Sequence, residues 1–184
     1  MRHSIVPIIL AALFAVPAVL AADEPPGFWT TPAIEGYGKI HPLPQGAYRP
    51  DAGQTYRIVF GMTAAAKSPE EVNPAIERVA RTVNLYVSAG VPINHLKFVA
   101  VAYGQATALA LNDAQYKAAY GVANPNLPVI ARLRKAGVDV AVCGQAVAEH
   151  NYRYEWVDPS VTLALAAITT ITTLEHQGYN LMPL

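Results

Sequence analysis

The feature that most constrains the fold is an alternation of short, apolar, β-rich runs with segments whose apolar residues recur at helical spacing. The β-rich runs predict strands at residues 56–60, 96–102, 138–142, 161–165 and 179–182. Strands separated by helices in this order form a largely parallel sheet that is covered by helices on both faces. The sequence therefore predicts a single α/β domain.

The first helix is marked by apolar residues in steps of three and four from Val72 to Tyr86. Residues 68–71, Ser-Pro-Glu-Glu, are typical of a capping box with proline at the first helical position, which predicts a start at Ser68. Pro74 leaves a second start open, at Asn73.

Three further helices are expected along the chain. Asn112 and Asn126 are each predicted to cap a helix that a later glycine stops, and a short helix is predicted at 145–150. Segment 168–174 is rich in β-branched residues, which favours a strand. Its apolar residues recur at every third position, however, so that the period favours a helix.

The first 21 residues have the layout of a secretory signal peptide: a basic start, a short apolar stretch, and small residues before Asp23. Cleavage is predicted near Ala21 or Ala22. The apolar stretch is too short, and too interrupted by proline, for a stable membrane span. We therefore expect a periplasmic or secreted protein with no stable membrane insertion after cleavage.

Residues 22–54 are rich in proline, glycine and aromatic residues and are predicted to form an extended arm, followed by the α/β domain over 55–184. A pure linker seldom contains so many large apolar side chains. Two interpretations stay open: an arm packed on its own domain or on a neighbouring subunit, and a flexible tail.

Charge and cysteine content exclude several classes of protein. Thirteen basic residues balance thirteen acidic ones, so the chain has no basic field for nucleic acid. The single cysteine excludes an internal disulfide. Charged residues make up only 14% of the chain, against about 25% in ordinary soluble domains. A doubly covered parallel sheet and charge-depleted subunit interfaces both lower this fraction, which predicts a homo-oligomer.

The carboxyl ends of parallel strands are where α/β sheets bind ligands, and Cys143 is predicted at such an end, where a helix begins. A helix N-terminus favours the thiolate, which makes Cys143 a candidate nucleophile. Residues of nearby turns are predicted to line the same mouth: Tyr103, Gly104, Asn124, Gly144 and Gln145. The alternative is a buried, unreactive cysteine that packs as a small apolar residue.

Other chemistries have weaker signals. A metal site could combine Cys143 with Glu149 and His150, but no two histidines have the spacing of helical ligands. The glycine-rich dinucleotide and phosphate motifs and the nucleophile-elbow motif are missing from the sequence. We therefore predict no metal site and no cofactor.

At Cys143 the sequence resembles the DsrE/DsrF-like family. The resemblance rests on Val-Cys-Gly-Gln at residues 142–145, on the preceding 124–141 segment, and on the closing run from Leu174 through Gly178-Tyr179. It extends over 56–184, and the arm, with Phe28-Trp29, resembles an exported subgroup of the family. The resemblance implies a five-stranded, mostly parallel sheet between helices, assembled as trimers or hexamers.

Better-understood relatives act in sulfur oxidation or in sulfur relay, and some carry sulfur as a cysteine persulfide. The resemblance thus implies a sulfur carrier or sulfurtransferase that exchanges sulfur at Cys143 with a donor or an acceptor thiol. Many relatives have histidine where this chain has Tyr103, and export separates this chain from cytoplasmic tRNA thiolation. The competing prediction is a non-catalytic, oligomeric module that binds a small ligand, with Cys143 structural.

Overall fold

The computed structural model describes residues 25–184, and the predicted signal peptide lies outside them. Its centre is a five-stranded sheet in which every neighbouring pair of strands is parallel. In spatial order the strands are β4 (Thr162–Ala164), β3 (Asp139–Cys143), β2 (Leu96–Ala102), β1 (Tyr56–Met62) and β5 (Asn180–Pro183). The predicted α/β fold is confirmed, with a sheet that is wholly rather than mostly parallel.

Five α-helices connect the strands: α1 (Pro74–Ser88), α2 (Asp113–Tyr120), α3 (Leu127–Lys135), α4 (Gly144–Glu149) and α5 (Ala167–His176). Short 3₁₀ segments lie at Ile93–His95, Gly104–Ala110 and Tyr154–Trp156. The period-based prediction of a helix at 168–174 is confirmed. In α5 the hydroxyls of Thr169, Thr170 and Thr172 are bonded to carbonyls three or four residues earlier, which accommodates these β-branched residues within the helix.

The capping box at Ser68 is wrong, and the alternative start is right. Asn73 caps α1, its side chain accepting a hydrogen bond from the backbone N–H of Ala75 at 2.8 Å. Pro74 is the reason, because a residue before proline is biased towards an extended conformation, and Asn73 has ψ 127°. Proline therefore begins this helix instead of lying inside it.

Of the two predicted asparagine caps, one is confirmed and the other makes no capping hydrogen bond. Asn112 caps α2 through its side chain, which accepts from the N–H of Gln115 at 3.0 Å. Asn126 lies at the N-cap position of α3 but makes no capping bond there. Its amide instead accepts from the N–H of Asn73 and donates to Asn124.

The two faces of the sheet have different covers. The connections from β1 through β4 all run in one direction along the sheet, so right-handed crossovers place their helices on one face. On this face, here called the α1 face, α1 and α3 bury side chains such as Phe60, Phe98 and Val140. The connection from β4 to β5 runs back across the whole sheet, and α5 covers the opposite α5 face, where Val59 and Cys143 lie.

Within the described part of the arm, residues 33–40 pack on the α1 face of their own chain. Ile34 and Ile40 are buried. The fully buried Asn84 of α1 accepts hydrogen bonds from the N–H groups of Ala33 and Ile34, and donates to the carbonyls of Tyr37 and Gly38. This segment of the arm is therefore part of the domain core, and the interpretation as a flexible tail does not hold for it.

Gly38 marks the closest approach of the arm to α1. A Cβ atom at this position would overlap the backbone nitrogen of Arg81, so only glycine fits. Its N–H also donates to the carboxylate of Glu77 at 2.7 Å.

None of the helices within residues 25–184 combines the length and the apolar character that a membrane crossing requires.

Candidate functional site

Cys143 is the last residue of β3 and the N-cap of α4. Its Sγ accepts a hydrogen bond from the backbone N–H of Ala146 at 3.4 Å. The position follows from the sequence, because the run 138–142 forms a buried strand and Gly144 allows the chain to turn at once into a helix. The predicted placement, a thiol at a strand end and a helix start, is the one that the structure shows.

Steric crowding explains why residue 144 is glycine. A Cβ atom there would lie 2.8 Å from the carbonyl oxygen of Ala164 in the neighbouring strand β4. Only glycine lets the start of α4 approach this close to β4. The geometry around Cys143 therefore depends on Gly144, the residue that follows it.

A cavity of about 290 Å³ opens beside the thiol. It is lined by Cys143 together with residues from the end of β2, from α4 and from the start of α5, among them Tyr103, Gly104, Gln145, Glu149, Ala167 and Ile168. Cys143 itself is only 6% exposed.

The structure brings together four of the predicted site residues, Tyr103, Gly104, Cys143 and Gln145, around this cavity. Gly144 lies next to it and lines a neighbouring apolar depression with Leu163 and Leu165. The amide of Gln145 donates to the carbonyl of Leu165 at 3.3 Å and so connects α4 with the strand exit of β4.

Asn124 lies elsewhere. It is buried, and its amide donates to the carbonyls of Leu109 and Leu111 while its oxygen accepts from the N–H of Asn126. It holds together the segments around α2 and α3 and does not line the cavity beside Cys143.

Sequence reasoning missed the wall that the start of α5 contributes, Ala166, Ala167 and Ile168. Glu149, which the sequence offered only as a possible metal ligand, also lines the cavity. The strand order supplies this wall, because β4 pairs with β3 and delivers the start of α5 beside Cys143. No local pattern in the sequence specifies that pairing.

His150 does not complete a metal site with Cys143. Its Nε2 lies 2.9 Å from the carbonyl oxygen of Gly104, and its ring stacks on Tyr152 with centroids 5.6 Å apart. Within residues 25–184 no three His, Cys, Asp or Glu side chains are grouped closely enough to hold a metal ion.

Comparison with known families identifies the family of this chain. Residues 54–184 match the model of the DsrE/DsrF-like family. The chain belongs to the DsrE/DsrF-like family. The match begins where the arm ends, so the arm lies outside the part that this chain shares with the family model.

One solved structure, titled as a protein of unknown function, MTH1491 from Methanobacterium thermoautotrophicum, has the same DsrE-like fold. It superposes with a TM-score of 0.51 and 15% sequence identity, over 70% of this chain and 99% of the other. At this identity the likeness concerns the fold alone. No curated protein matches the sequence.

Proposed function

We propose that this DsrE/DsrF-like protein is a sulfur carrier or sulfurtransferase that holds sulfane sulfur as a persulfide on Cys143. The observation that carries the proposal is the position of the thiol. It lies at the carboxyl edge of the sheet, faces a cavity of about 290 Å³, and accepts an N–H hydrogen bond from the first turn of α4. A backbone donor at this position stabilises a thiolate.

The proposed step is a displacement at sulfur. The Cys143 thiolate attacks the outer sulfur of thiosulfate, an S–S bond forms, the S–S bond of thiosulfate breaks, and sulfite leaves with the electron pair. A polysulfide reacts in the same way and leaves one sulfur atom shorter. Transfer to a partner thiolate is the second displacement, which returns the Cys143 thiolate and moves the persulfide to the partner.

Burial supports a small sulfur donor. Because Cys143 is almost covered, an attacking position is open only to species that enter the cavity between Tyr103 and Ile168. Transfer to an acceptor protein requires that the acceptor thiol reach into the same opening. We therefore propose inorganic or small organic sulfane sulfur as the donor class.

The test is intact mass spectrometry of the reduced protein after incubation with thiosulfate or polysulfide. The expected result is the addition of sulfur to the wild type, removable by a reductant, and no addition to Cys143→Ser. Serine is a good N-cap, so this variant keeps the start of α4 while losing the nucleophile. An unmodified wild type, or the same adduct on the variant, would sink the proposal.

The carboxylate of Glu149, exposed and lining the same cavity, provides a second readout. Glu149→Gln removes a negative charge from the path of an anionic donor and is expected to speed sulfur loading from thiosulfate. Alkylation by neutral iodoacetamide serves as the control and is expected to keep its rate. Equal acceleration of both reactions would mean that the substitution merely loosens the cavity.

A second candidate function is a non-catalytic module that binds a small ligand. The observation that favours it is the membership of Cys143 in the smaller core cluster, with Val101, Ala141 and Ala166. Thiol titration separates the two candidates. A cysteine that reacts with iodoacetamide only after denaturation supports packing, and one that reacts in the native fold supports the carrier.

We also propose that the chain forms a homo-oligomer, a trimer or hexamer. The support is apolar surface at β4 and the start of α5, where Leu165 and Ile168 are each 74% exposed. Ile168→Glu is expected to lower the mass measured by light scattering, while Leu85→Glu, an exposed leucine on the outer side of α1, serves as control. A wild type that is already monomeric contradicts the proposal.

Export is proposed from the first 21 residues alone. The expected finding is a mature protein in the periplasm or medium whose first residue follows Ala21 or Ala22. N-terminal sequencing of the protein purified from the producing cells measures this directly.

A further inference from the structure

A second cavity, also of about 290 Å³, lies next to the cavity beside Cys143. Gly104 and Glu149 line the cavity beside Cys143, and their chain neighbours Gln105 and His150 line the second one. The hydrogen bond between His150 and the carbonyl of Gly104 crosses the boundary. The second cavity thus lies at the carboxyl edge of the sheet, where α/β folds bind ligands.

Two hydrogen-bonded asparagines form part of the lining of this cavity. Asn73 and Asn126 line it, and both are buried. The backbone N–H of Asn73 donates to the side-chain oxygen of Asn126. The amide of Asn73 donates to the carbonyl of Ala64, and the amide of Asn126 donates to Asn124. These hydrogen bonds connect the loop after β1 with the segment before α3.

The hydroxyls of Tyr120 and Tyr152 form the polar wall. They lie 3.0 Å apart, and one donates to the other. A pair of hydroxyls has two protons and uses one in this bond, so one proton is left for a third group. Burial and the hydrogen bond that it shares with Tyr120 raise the pKa of Tyr152, so that its hydroxyl stays protonated and able to donate.

Positive charge completes the lining. Lys67, which is exposed, lines the cavity together with the polar residues Ser68 and Gln105. His150 is bonded through Nε2 to a carbonyl, which only accepts, so Nε2 carries a hydrogen. Among the described residues that line this cavity there is no aspartate or glutamate.

We propose that this cavity is a binding site for a small organic anion, a carboxylate or sulfonate with an apolar body. The ammonium group of Lys67 and the spare tyrosine proton would bind the anionic group, and Ala65, Ala108 and Leu109 would contact the apolar body. The excess of donors and the lack of carboxylates favour an anion over a cation. The site is separate from the thiol, and its proposal does not rest on the function of Cys143.

The probe is benzoate, with benzamide as a neutral molecule of the same shape. Titration into ¹⁵N-labelled protein is expected to shift the backbone amides around residues 65–69, 105–109 and 150–152, and benzamide is expected to bind more weakly. Lys67→Gln is expected to weaken benzoate about tenfold, the effect of losing a charge-assisted hydrogen bond. Lys97→Gln is the matched control, an exposed lysine near the amino end of β2.

The tyrosine pair gives a signature that a merely structural role would not produce. In Tyr120→Phe or Tyr152→Phe the remaining hydroxyl is freed from its partner and turns to the ligand, so each single variant is expected to bind benzoate within about twofold of the wild type. The double variant loses both hydroxyls of the pair and is expected to bind about fivefold more weakly. Its amide spectrum reports whether the fold is retained.

Three results would overturn the proposal: no localised shifts with benzoate, equal affinity for benzoate and benzamide, or an equal loss in Lys67→Gln and Lys97→Gln. Sulfur loading of Cys143 is measured separately by mass. Failure of either site therefore leaves the other site testable.

Discussion

The α1 face and the α5 face of the same sheet differ in how completely they are covered. On the α1 face, helices α1 and α3 and a segment of the arm bury the large side chains Phe60 and Phe98, whose ring centroids lie 5.4 Å apart. On the α5 face one ten-residue helix covers smaller side chains, Val59, Val101 and Ala141, and leaves Ile168 exposed.

This difference follows from one topological fact. Three connections run one way along the sheet and only the last returns, so right-handed crossovers crowd one face and leave the other with a single helix. We infer that the α1 face supplies most of the stability, because it buries more apolar area. The α5 face has the nearly covered thiol and its cavity, and the exposed apolar side chains.

The largest expected effect compares one substitution on both faces. Ile76 is fully buried on α1 and Ile171 is nearly buried on α5. Ile76→Ala is expected to lower the free energy of unfolding by about 4 kcal/mol and Ile171→Ala by about 2 kcal/mol, since the thinner cover relaxes more easily into the space. Urea denaturation followed by circular dichroism, at equal protein concentration, measures both. Equal losses would contradict an unequal division of stability.

The next effect concerns the arm on the α1 face. Asn84→Ala removes the partner of four backbone groups of the arm and is expected to cost about 3 kcal/mol, since buried groups are left unpaired. Limited proteolysis is expected to cleave the arm faster in this variant. Arg78→Ala, at an exposed position of the same helix, is the control and is expected to stay within about 0.5 kcal/mol of the wild type. A proteolysis rate that does not change would mean that other contacts hold the arm.

A smaller effect is expected at the junction of α4 with β4. Gly144→Ala forces the Ala164 carbonyl away and is expected to cost about 2 kcal/mol. Because β4 and α5 shift together, Cys143 is also expected to react faster with iodoacetamide. Gln145→Ala, at the adjacent exposed residue, loses only one bond to Leu165 and is expected to change both quantities less. Unchanged alkylation in Gly144→Ala would separate thiol access from the packing of β4.

The smallest expected effect is a loss of stability at alkaline pH, caused by a tyrosine on the α1 face. Burial, with a contribution from Tyr56, raises the pKa of Tyr86 above its ordinary value of 10.0. The folded state thus holds this proton more tightly than the unfolded chain. The stability that the neutral phenol contributes is present below pH 10 and is lost as the pH rises through the higher folded pKa. Tyr86→Phe is expected to flatten the fall in the urea midpoint above pH 10, whereas the same change at exposed Tyr154 is not.

Local patterns predicted the elements well. The run 96–102 is β2 to the residue, and Asn112 caps α2 as its position indicates. The error at Ser68 is also local, since Pro74 holds Asn73 in an extended conformation and the helix begins only after it. Propensity misjudged Asn126 for another reason: its amide is bonded to Asn73 and Asn124 in the fold, and the sequence does not show which distant backbone group an amide will meet.

The site was predictable only in part. Cys143, Gly104 and Gln145 come together because the ends of neighbouring parallel strands always do. The α5 wall depends on which strand pairs with which, and the second cavity depends on residues as distant along the chain as Lys67, Tyr120 and Tyr152. No spacing rule relates such residues, so they are visible only once the chain is folded.

The hydrogen bonds of Asn84 also set an order of events as the chain emerges from a ribosome. Residues 33–38 are synthesised about fifty positions before the side chain that satisfies their backbone groups. Until α1 has been made, this segment has no intramolecular partner for those groups and stays hydrated. Its docking is therefore a late event that waits for sequence downstream, although the segment itself is among the first to be translated.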